Sequence, residues 1–554
     1  MKRYPGIYIL RFILMIFPGI PMLHAQGWGT EGEIEDAQVI IEKSRDIVLP
    51  QVTRNFEKVP PLPVEINNNL LQPYQFTPVP GILPVLPMQP RVLKLKEEPL
   101  DRLYRGYLRG GFGTYLTPYF DGYLYNKREK NFLTGIRFHH LSSGYGPVGK
   151  GNSSNGDTRL EVSGNYYKGP LTLGADAGYE HAYWNFYGYP SGSPVDRDSL
   201  RQHFNRIHIH GYIQSDPKKS NTGFLLNVNY SHLADHFKTS ESLVRADLDF
   251  RIPIQENLSF GLTTNAMFSV LSDTGTRYRN LVKFDPALYY RYQDLEVKAG
   301  LNTVIQNDTV SSRSPVLLYP FVGLTYHFTQ AVSGYLNFDG DMEEVTLHSL
   351  TGENPYLNEN LPVYHTNKAY GLEWGVKANI SNLAFARAGF SYASLKDMYY
   401  FLNDSLNISR FNIVYDRGST NRTWIYGELN LSKPGLYLFD IKGNYYHYQV
   451  DELEQPWHKP AWKVDLLSRY NIYRKIILSA DLYFMGGIKA RDYILDKVIT
   501  LKPVNDINFT IDYLFSEKFS VFLDFKNILG NNYEIYWRYP SRGLQFMAGA
   551  SINF

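Results

Sequence analysis

The stretch "VRADLDFRI" (Val244–Ile252) alternates strictly between apolar and charged side chains. Its apolar side chains occupy the even positions, and its charged side chains are Arg245, Asp247, Asp249 and Arg251. Successive side chains of a β-strand point to opposite faces of the sheet. The stretch therefore predicts a strand with one apolar face and one charged face.

The same period of two recurs along most of the chain. In "GLEWGVKANI" (371–380) the polar positions include Glu373 and Lys377, and in "WKVDLLSRY" (462–470) they include Lys463, Asp465 and Arg469. Traced segment by segment, residues 101–554 contain about 22 such strands, an even number as bacterial membrane barrels require. We therefore expect an all-β fold over this whole range.

Two architectures give every strand one apolar face: a soluble β-sandwich and a transmembrane barrel. Along the chain, short links between the predicted strands, such as 167–170, alternate with long ones, such as 144–157 and 346–365. Aromatic clusters stand at strand ends, in "YYRY" (289–292), "DMYYF" (397–401), "GNYYHY" (443–448) and "EIYWRYP" (534–540). Short periplasmic turns, long external loops and two aromatic girdles are typical of outer-membrane barrels. The sequence therefore favours a transmembrane antiparallel β-barrel.

The barrel prediction assigns each face of a strand to one environment. Apolar side chains meet lipid, and polar side chains line the lumen. The charged side chains expected to line the lumen are Arg245, Asp247, Asp249, Arg251, Glu373, Lys377, Lys463, Asp465 and Arg469.

The chain ends on "FMAGASINF", which is apolar at every second position from Phe546 through Ile552 to Phe554. The last residues of a soluble chain are usually frayed, so an apolar row of this kind has to be buried in something. We expect this strand to face lipid and to close the barrel against the first strand.

Three regions divide the chain. Residues 1–25 carry Lys2 and Arg3 before a short apolar stretch, which predicts a signal peptide cleaved after Ala25. Residues 26–100 are rich in proline and predict an extended linker or a segment that threads the lumen. Residues 101–554 are the predicted barrel. The expected location is the outer membrane of a Gram-negative bacterium.

Composition excludes several classes of function. The formal net charge is only +2 and no block of like charges stands out, so nucleic-acid binding is not indicated. Cysteine is absent, which removes disulfides, thiolate metal sites and cysteine nucleophiles. No nucleophile motif such as G-x-S-x-G occurs, so we expect neither an enzyme nor a bound cofactor.

Two clusters could in principle bind a metal ion. His208 and His210 share one face of a predicted strand, as do Asp339, Asp341 and Glu343 of another. Imidazole pairs suit zinc, and carboxylate rows suit hard cations. No third ligand is visible for the histidine pair, so a polar lumen wall is the favoured interpretation of both clusters.

A family resemblance rests on the last third of the chain. The segment 519–554 resembles the last hairpin of TonB-dependent outer-membrane receptors, through Asn527, Asn531, Tyr533, Tyr539, Pro540, Arg542, Gly543, Phe546 and Phe554. Residues 354–401 resemble their NP-x-L and E-x-G-x-K hairpin, through Asn354, Pro355, Leu357, Glu373, Gly375, Lys377 and Asp397. The general residue pattern of the strands is similar to that of barrels from the Bacteroidota group. The resemblance implies that outer-membrane lipid surrounds the barrel and that Phe554 is read by the barrel-insertion machinery.

The resemblance stops before the barrel. Such receptors carry a plug domain of well over a hundred residues and a short TonB-contacting box, whereas only the proline-rich 26–100 precede this barrel. "QVIIE" (38–42) is better interpreted as a short strand or docking segment than as that box, which puts coupling to TonB in doubt.

Two functions follow from these observations. One is a receptor-like barrel that binds or passes a solute. The other is a structural or assembly subunit, in which residues 26–100 bind envelope proteins. The resemblance favours transport.

Overall fold

The computed structural model describes residues 104–554, apart from 127–128, 130, 191, 217–221, 309–313 and 382. The predicted signal peptide (1–25) and the predicted proline-rich segment (26–100) lie outside the described residues.

The described residues form 24 strands, one α-helix and two short 3-10 turns. The helix, α1, spans Leu347–Glu353, and the 3-10 turns span Lys150–Ser153 and Asp198–Leu200. The strands are β1 Gly106–Gly113, β2 Thr117–Tyr125, β3 Phe132–Ser143, β4 Asn155–Lys168, β5 Leu171–Asn185, β6 Arg201–Ser215, β7 Gly223–Asp235, β8 Ser240–Gln255, β9 Leu258–Ser272, β10 Thr276–Tyr292, β11 Leu295–Gln306, β12 Val316–His327, β13 Val332–Glu343, β14 Thr366–Ser381, β15 Ala384–Asn403, β16 Phe411–Lys433, β17 Tyr437–Gln449, β18 Trp462–Ile472, β19 Ile476–Gly486, β20 Lys489–Asp492, β21 Lys497–Thr500, β22 Val504–Leu514, β23 Phe519–Lys526 and β24 Gln545–Asn553. None of the helices among the described residues is long and apolar enough to cross a membrane.

Twenty-two of these strands form one closed antiparallel barrel, which confirms the predicted fold class and strand number. Each strand pairs with its neighbour in the chain, except that β19 pairs with β22. The barrel closes where β24 pairs with β1, from Tyr107 opposite Asn553 to Gly113 opposite Met547. Closure matters in lipid, because no water is available to satisfy the backbone groups of a free strand edge.

Strands β20 and β21 form a separate hairpin that the sequence did not predict. Both strands lie within the long link between β19 and β22. Each has only four residues, too short to cross a bilayer.

The longest links all lie at one end of the barrel, which also carries short links such as 114–116 and 273–275. At the end where β1 begins and β24 finishes, the links are tight, such as 169–170, 328–331 and 434–436. At the other end lie the long links 144–154, 186–200, 344–365, 450–461, 487–503 and 527–544. This grouping agrees with the alternation of link lengths in the sequence.

The pairing register keeps apolar and polar side chains on opposite faces around the barrel. On β8, Leu248 stands opposite Leu226 and Thr264, whereas Asp247 stands opposite Asn227 and Asn265. The exposed large apolar side chains include Leu160, Val162, Ile207, Ile209, Val228, Leu288, Leu318, Trp374, Val376 and Ile425. An exposed apolar outer face on a closed barrel is the arrangement that lipid requires.

The girdle interpretation of the aromatic clusters is right for some and wrong for others. Tyr290 and Tyr292 of "YYRY" are exposed at the short-link end, as expected. Tyr400 and Phe401 of "DMYYF" are instead fully buried, and Tyr536 of "EIYWRYP" is 8% exposed. Strands β15 and β16 are the longest of the barrel, and their loop-side ends pack against long loops.

Candidate functional site: the inner wall and the mouth cap

The nine charged side chains singled out from the sequence lie on three strands. The register of β8, β14 and β18 places them on the face that also carries Leu243 and Met267, which are buried against other inner-wall side chains. They do not converge on one site, because β8 and β14 are six strands apart in the barrel.

Each of the three groups makes local polar or aromatic contacts. Asp247 accepts a hydrogen bond from Asn265 at 2.8 Å, and Asp249 accepts one from Thr263 at 2.9 Å. Arg251 lies 3.9 Å from the ring centre of Tyr289. These contacts hold the β8 side chains against the wall.

The β14 group belongs to a tighter network. Glu373 accepts a hydrogen bond from Arg387 at 2.8 Å and another from Tyr426. Lys377 lies 4.8 Å from the ring centre of Tyr335. On β18, Lys463 and Asp465 form an ion pair at 3.5 Å, whereas Arg469 stands opposite Leu438 and Ser479.

Side chains of both candidate metal clusters contact neighbouring polar side chains of the wall. Asp176 contacts His210 Nδ1 at 2.8 Å and His208 Nε2 at 3.6 Å. Asp339 pairs with Lys368 at 2.7 Å, and Asp341 pairs with Lys283 at 2.8 Å. Within the described part of the chain, no group of three or more ligand residues is arranged to hold a metal ion.

Long loops close the barrel mouth at the long-link end. We call the loops 344–365, 450–461, 487–503 and 527–544, together with the loop-side ends of β15 and β16, the mouth cap. Its largest apolar cluster combines loop residues with residues of β6, β7 and β9: Phe204, Leu233, Leu271, Val345, Leu347, Leu350, Leu357, Leu361, Val363, Phe401, Phe411, Ile413, Tyr536 and Tyr539. The loops therefore pack on the inner wall and on each other.

Aromatic rings meet at the centre of the mouth cap. Tyr356 of loop 344–365 stacks on Tyr539 of loop 527–544, with ring centres 3.7 Å apart. Tyr187 meets the same ring edge-on at 4.7 Å, and the Tyr539 hydroxyl donates to the carbonyl oxygen of Ser409. Aromatic pairs of this kind contribute about 0.5–1.5 kcal/mol beyond the area they bury.

A buried ionic cluster fixes the two ends of loop 344–365 to the wall. Arg279 of β10 donates to Asp308 at 3.1 and 3.3 Å and to the carbonyl oxygen of Val345 at 3.0 Å. Asp308 accepts in turn from the backbone N–H of His365 at 2.9 Å. The cluster thus joins the wall to both ends of one loop.

Helix α1 has its own attachments to the wall. Glu241 of β8 accepts from the backbone N–H of His348 at 3.2 Å, in the first turn of the helix, where a carboxylate is favoured. Thr346 and Ser349 form a reciprocal capping box. Arg206 of β6 donates to Thr351 Oγ1 at 3.2 Å.

Glu353, the last residue of α1, connects three further parts of the mouth cap. Its carboxylate accepts from the Tyr399 hydroxyl at 2.6 Å and from Lys459 Nζ at 2.7 Å. Its backbone carbonyl accepts from the Tyr536 hydroxyl at 2.7 Å. One residue thus contacts β15, loop 450–461 and loop 527–544.

The base of loop 527–544 is held by Asn527, which is fully buried. Its side-chain amide donates to the carbonyl oxygens of Asn531 and Arg542, both at 2.7 Å. Its backbone adopts a positive φ of 48°, a conformation that asparagine tolerates better than most residues. Arg542 reaches across to the carbonyl oxygen of Tyr145 at 3.2 Å.

Two histidines of the mouth cap, the surface-accessible His348 and the buried His458, have lowered pKa values that favour the neutral form. The surrounding chain partly desolvates His348 and lowers its pKa to about 4 although part of its surface is exposed, and the positive charge of Arg206 acts in the same direction. Burial also lowers the pKa of His458 to about 4, against the hydrogen bond to the Phe401 carbonyl, which favours the charged form. Neither site stabilises an imidazolium.

Sequence reasoning did not predict the mouth cap, although the family resemblance rests on several of its residues, among them Asn527, Tyr539 and Arg542. The charged residues that hold it, such as Glu241 and Arg279, continue the polar rows of their strands, and nothing in those rows marks them as buried. A further signal is the group of three tyrosines in the loop segment 533–539, which favours a membrane girdle when the sequence is considered alone.

Fold and outer face together define the class: this is a 22-stranded outer-membrane β-barrel. The FrpB iron transporter of Neisseria meningitidis has the same fold, with a TM-score of 0.63, 10% identity and 82% of each chain covered. The siderophore receptor PirA of Acinetobacter baumannii aligns with a TM-score of 0.62 at 10% identity, covering 82% of this chain and 81% of that one. The ferric-catecholate import receptor Fiu of Escherichia coli K12 aligns with a TM-score of 0.60 at 10% identity, with 82% of each chain covered.

These likenesses confirm the barrel fold. No protein-family model matches the sequence, and no curated protein matches it either.

Proposed function

We propose that this barrel binds a polar solute in its lumen and passes it across the outer membrane. The observation that carries the proposal is a wall lined with charges of both signs behind a mouth closed by the protein's own loops. A pore that stayed open would not need a packed apolar cluster across its mouth.

The inner wall suits a hydrated, polar solute. Its ion pairs, such as Lys283–Asp341 and Arg109–Asp512, both at 2.8 Å, leave no large field of one sign. Wall contacts of this kind can exchange with the polar groups of a passing solute at little net cost.

The solved structures of similar fold point in the same direction. Their titles describe an iron transporter, a siderophore receptor and a ferric-catecholate import receptor. At about one residue in ten identical, they support the transport class and leave the solute of this chain open.

The test measures conductance and solute flux of the purified full chain in planar bilayers and liposomes. One variant replaces residues 346–364 by a short glycine-serine link, which removes α1 and its apolar contacts. A matched control shortens the hairpin tip at 493–496, which is largely exposed and makes no contact with the main apolar cluster. A variant lacking 30–95 is measured in parallel, because the proline-rich segment is predicted to be either a linker or a segment that threads the lumen.

We expect low conductance from the full chain and the hairpin-tip control. Large, steady conductance and solute flux are expected when the cap loop is removed, alone or together with 30–95. Absence of solute flux in all variants, with envelope proteins retained in a pull-down through 26–100, would favour the assembly-subunit function instead.

A further inference from the structure

His458 occupies a junction between three parts of the mouth cap. The residue belongs to loop 450–461 and is 5% exposed. Its ring packs edge-on against Phe411 at 5.1 Å and lies 5.8 Å from the ring of Tyr536. Its backbone N–H donates to the carbonyl oxygen of Lys489 at 2.9 Å.

Both ring nitrogens of His458 are committed to backbone partners. Nδ1 lies 2.7 Å from the carbonyl oxygen of Phe401, and Nε2 lies 3.3 Å from the backbone nitrogen of Trp537. A carbonyl oxygen can only accept and an amide N–H can only donate, so Nδ1 carries the proton and Nε2 accepts. The structure thus specifies one neutral tautomer.

A second proton on His458 has no place in this geometry. It would sit on Nε2 and point at the N–H of Trp537, so the bond between loop 450–461 and loop 527–544 would be lost. It would also place a positive charge in a buried site, which is costly unless a partner compensates.

The surrounding charged groups offer no such compensation. Lys459, the next residue, is itself positive, and the Glu353 carboxylate is already engaged by Lys459 and by the Tyr399 hydroxyl. Tyr536 directs its hydroxyl to the Glu353 carbonyl. Lys489 of β20 contacts His458 through its backbone carbonyl. Its charged Nζ is directed elsewhere and donates a hydrogen bond to Thr500 Oγ1 at 2.7 Å.

From this geometry we infer that the mouth cap is an acid-released lid, and that protonation of His458 separates loop 450–461 from loop 527–544. This inference does not depend on solute passage, because it concerns only the exposure of the surfaces that the loops cover.

The expected response follows from linkage. Burial holds the pKa of His458 at about 4 in the closed cap, against 6.5 for a free histidine. The stability of the closed cap relative to the open cap is therefore greatest above pH 6.5 and decreases as the pH falls toward 4. Between pH 7.5 and pH 5 the population of the open state should rise by about 30-fold.

A cysteine introduced beneath the loop reports this opening directly. Ala393 is 2% exposed and packs in the cluster that contains Trp457, so Ala393→Cys should react with a water-soluble thiosulfonate only when loop 450–461 lifts. Leu406→Cys, at a site 96% exposed, gives the reference rate and corrects for thiol ionisation. The natural chain contains no cysteine that would interfere.

The labelling rate of Ala393→Cys, divided by that of Leu406→Cys, should rise by about 30-fold between pH 7.5 and pH 5. This ratio should rise far less when His458→Gln is added, because the glutamine amide can donate and accept but cannot titrate, and because His348, the other cap histidine with a lowered pKa, belongs to loop 344–365. His447→Gln, at an exposed histidine on β17, should respond as the natural background does.

A flat ratio in the natural background would overturn the inference. If His458→Gln itself exposes the introduced thiol at position 393 at pH 7.5, His458→Asn takes its place. A full pH response that persists in a non-titrating variant would show that another group opens the cap, and would equally overturn the role of His458.

Discussion

Arg279 and Asp308 form a two-pronged ion pair whose side chains are only 4% and 3% exposed. The pair lies where loop 344–365 leaves and rejoins the wall, between the Val345 carbonyl and the His365 N–H. Burial of two charges is costly, but here both partners also meet backbone groups of the loop. The pair therefore fixes the mouth cap as much as it stabilises the barrel.

Loss of Arg279 should loosen the mouth cap. Arg279→Met leaves Asp308 buried without its partner, which typically costs about 3–5 kcal/mol. We expect rapid proteolysis of loop 344–365 in micelles, while the barrel still migrates as a folded species on unheated gels.

Two further variants isolate the pair. Arg291→Met removes an arginine that is 72% exposed in its pair with Glu296, and should change stability by less than about 1 kcal/mol. The double variant Arg279→Met with Asp308→Leu should regain part of the protection, because it removes the Asp308 charge and leaves only Glu241, 3.9 Å from Arg279 in the natural chain, buried without that cation. Equal sensitivity of the single and double variants would contradict this account.

The two faces of a strand should respond differently to charge. Leu248→Arg and Val376→Arg place a cation on the lipid face and should cost about 2–4 kcal/mol near the bilayer midplane. Asp247→Asn and Lys377→Gln change the opposite face and should leave folding nearly intact. Heat-modifiable gel migration measures both effects, and equal losses on the two faces would point to a filled sandwich in place of a membrane barrel.

The barrel could be predicted from the sequence because its signals are local. A stretch such as Val244–Ile252 shows its two faces within nine residues, and the short links show where each strand turns. The strand number of 22 follows from counting these units. The period of two is the same for a strand of any depth, however, so it gives no sign that β15 and β16 reach beyond the bilayer into the mouth cap.

The mouth cap depends on contacts that no local pattern records. Tyr536 and Glu353 are 183 residues apart in the chain, and Arg279 and Asp308 belong to different elements. The sequence shows these residues as polar or aromatic members of strand ends and loops. The loops come together only when the barrel closes. Their tyrosines then pack against each other and do not face lipid.

The seam between the first and last strands should be sensitive to size at Gly106. A Cβ added there would lie 2.5 Å from the ring of Phe554, whereas one added at Gly110 would meet nothing closer than 3.8 Å. Gly106 and Phe554 also exchange two backbone hydrogen bonds, both at 3.0 Å. Gly106→Val should therefore displace the terminal ring and cost about 1–3 kcal/mol in closure, measured as the loss of the heat-modifiable folded band.

Gly110→Ala is the matched control on the same strand and should be neutral. The double variant Gly106→Val with Phe554→Ala separates the two roles of the last residue. It should restore closure of purified, refolded barrels if the clash is local. If Phe554 is also read by the insertion machinery, the same variant should still assemble poorly in cells. Full assembly of Phe554→Ala in cells would contradict the recognition of Phe554 by the insertion machinery.

The two ends of the barrel should face opposite compartments, and single cysteines can assign them. Leu406, between β15 and β16 at the long-link end, is 96% exposed, and Tyr473, in a tight turn at the other end, is 93% exposed. Outer-membrane barrels keep short turns in the periplasm and longer loops outside. A membrane-impermeant maleimide should therefore label Leu406→Cys in intact cells and should reach Tyr473→Cys only after the outer membrane is permeabilised. The natural chain contributes no cysteine to the background.

Labelling at 473 but not at 406 in intact cells would reverse the orientation, and would place the mouth cap and its acid-sensitive histidine on the periplasmic side.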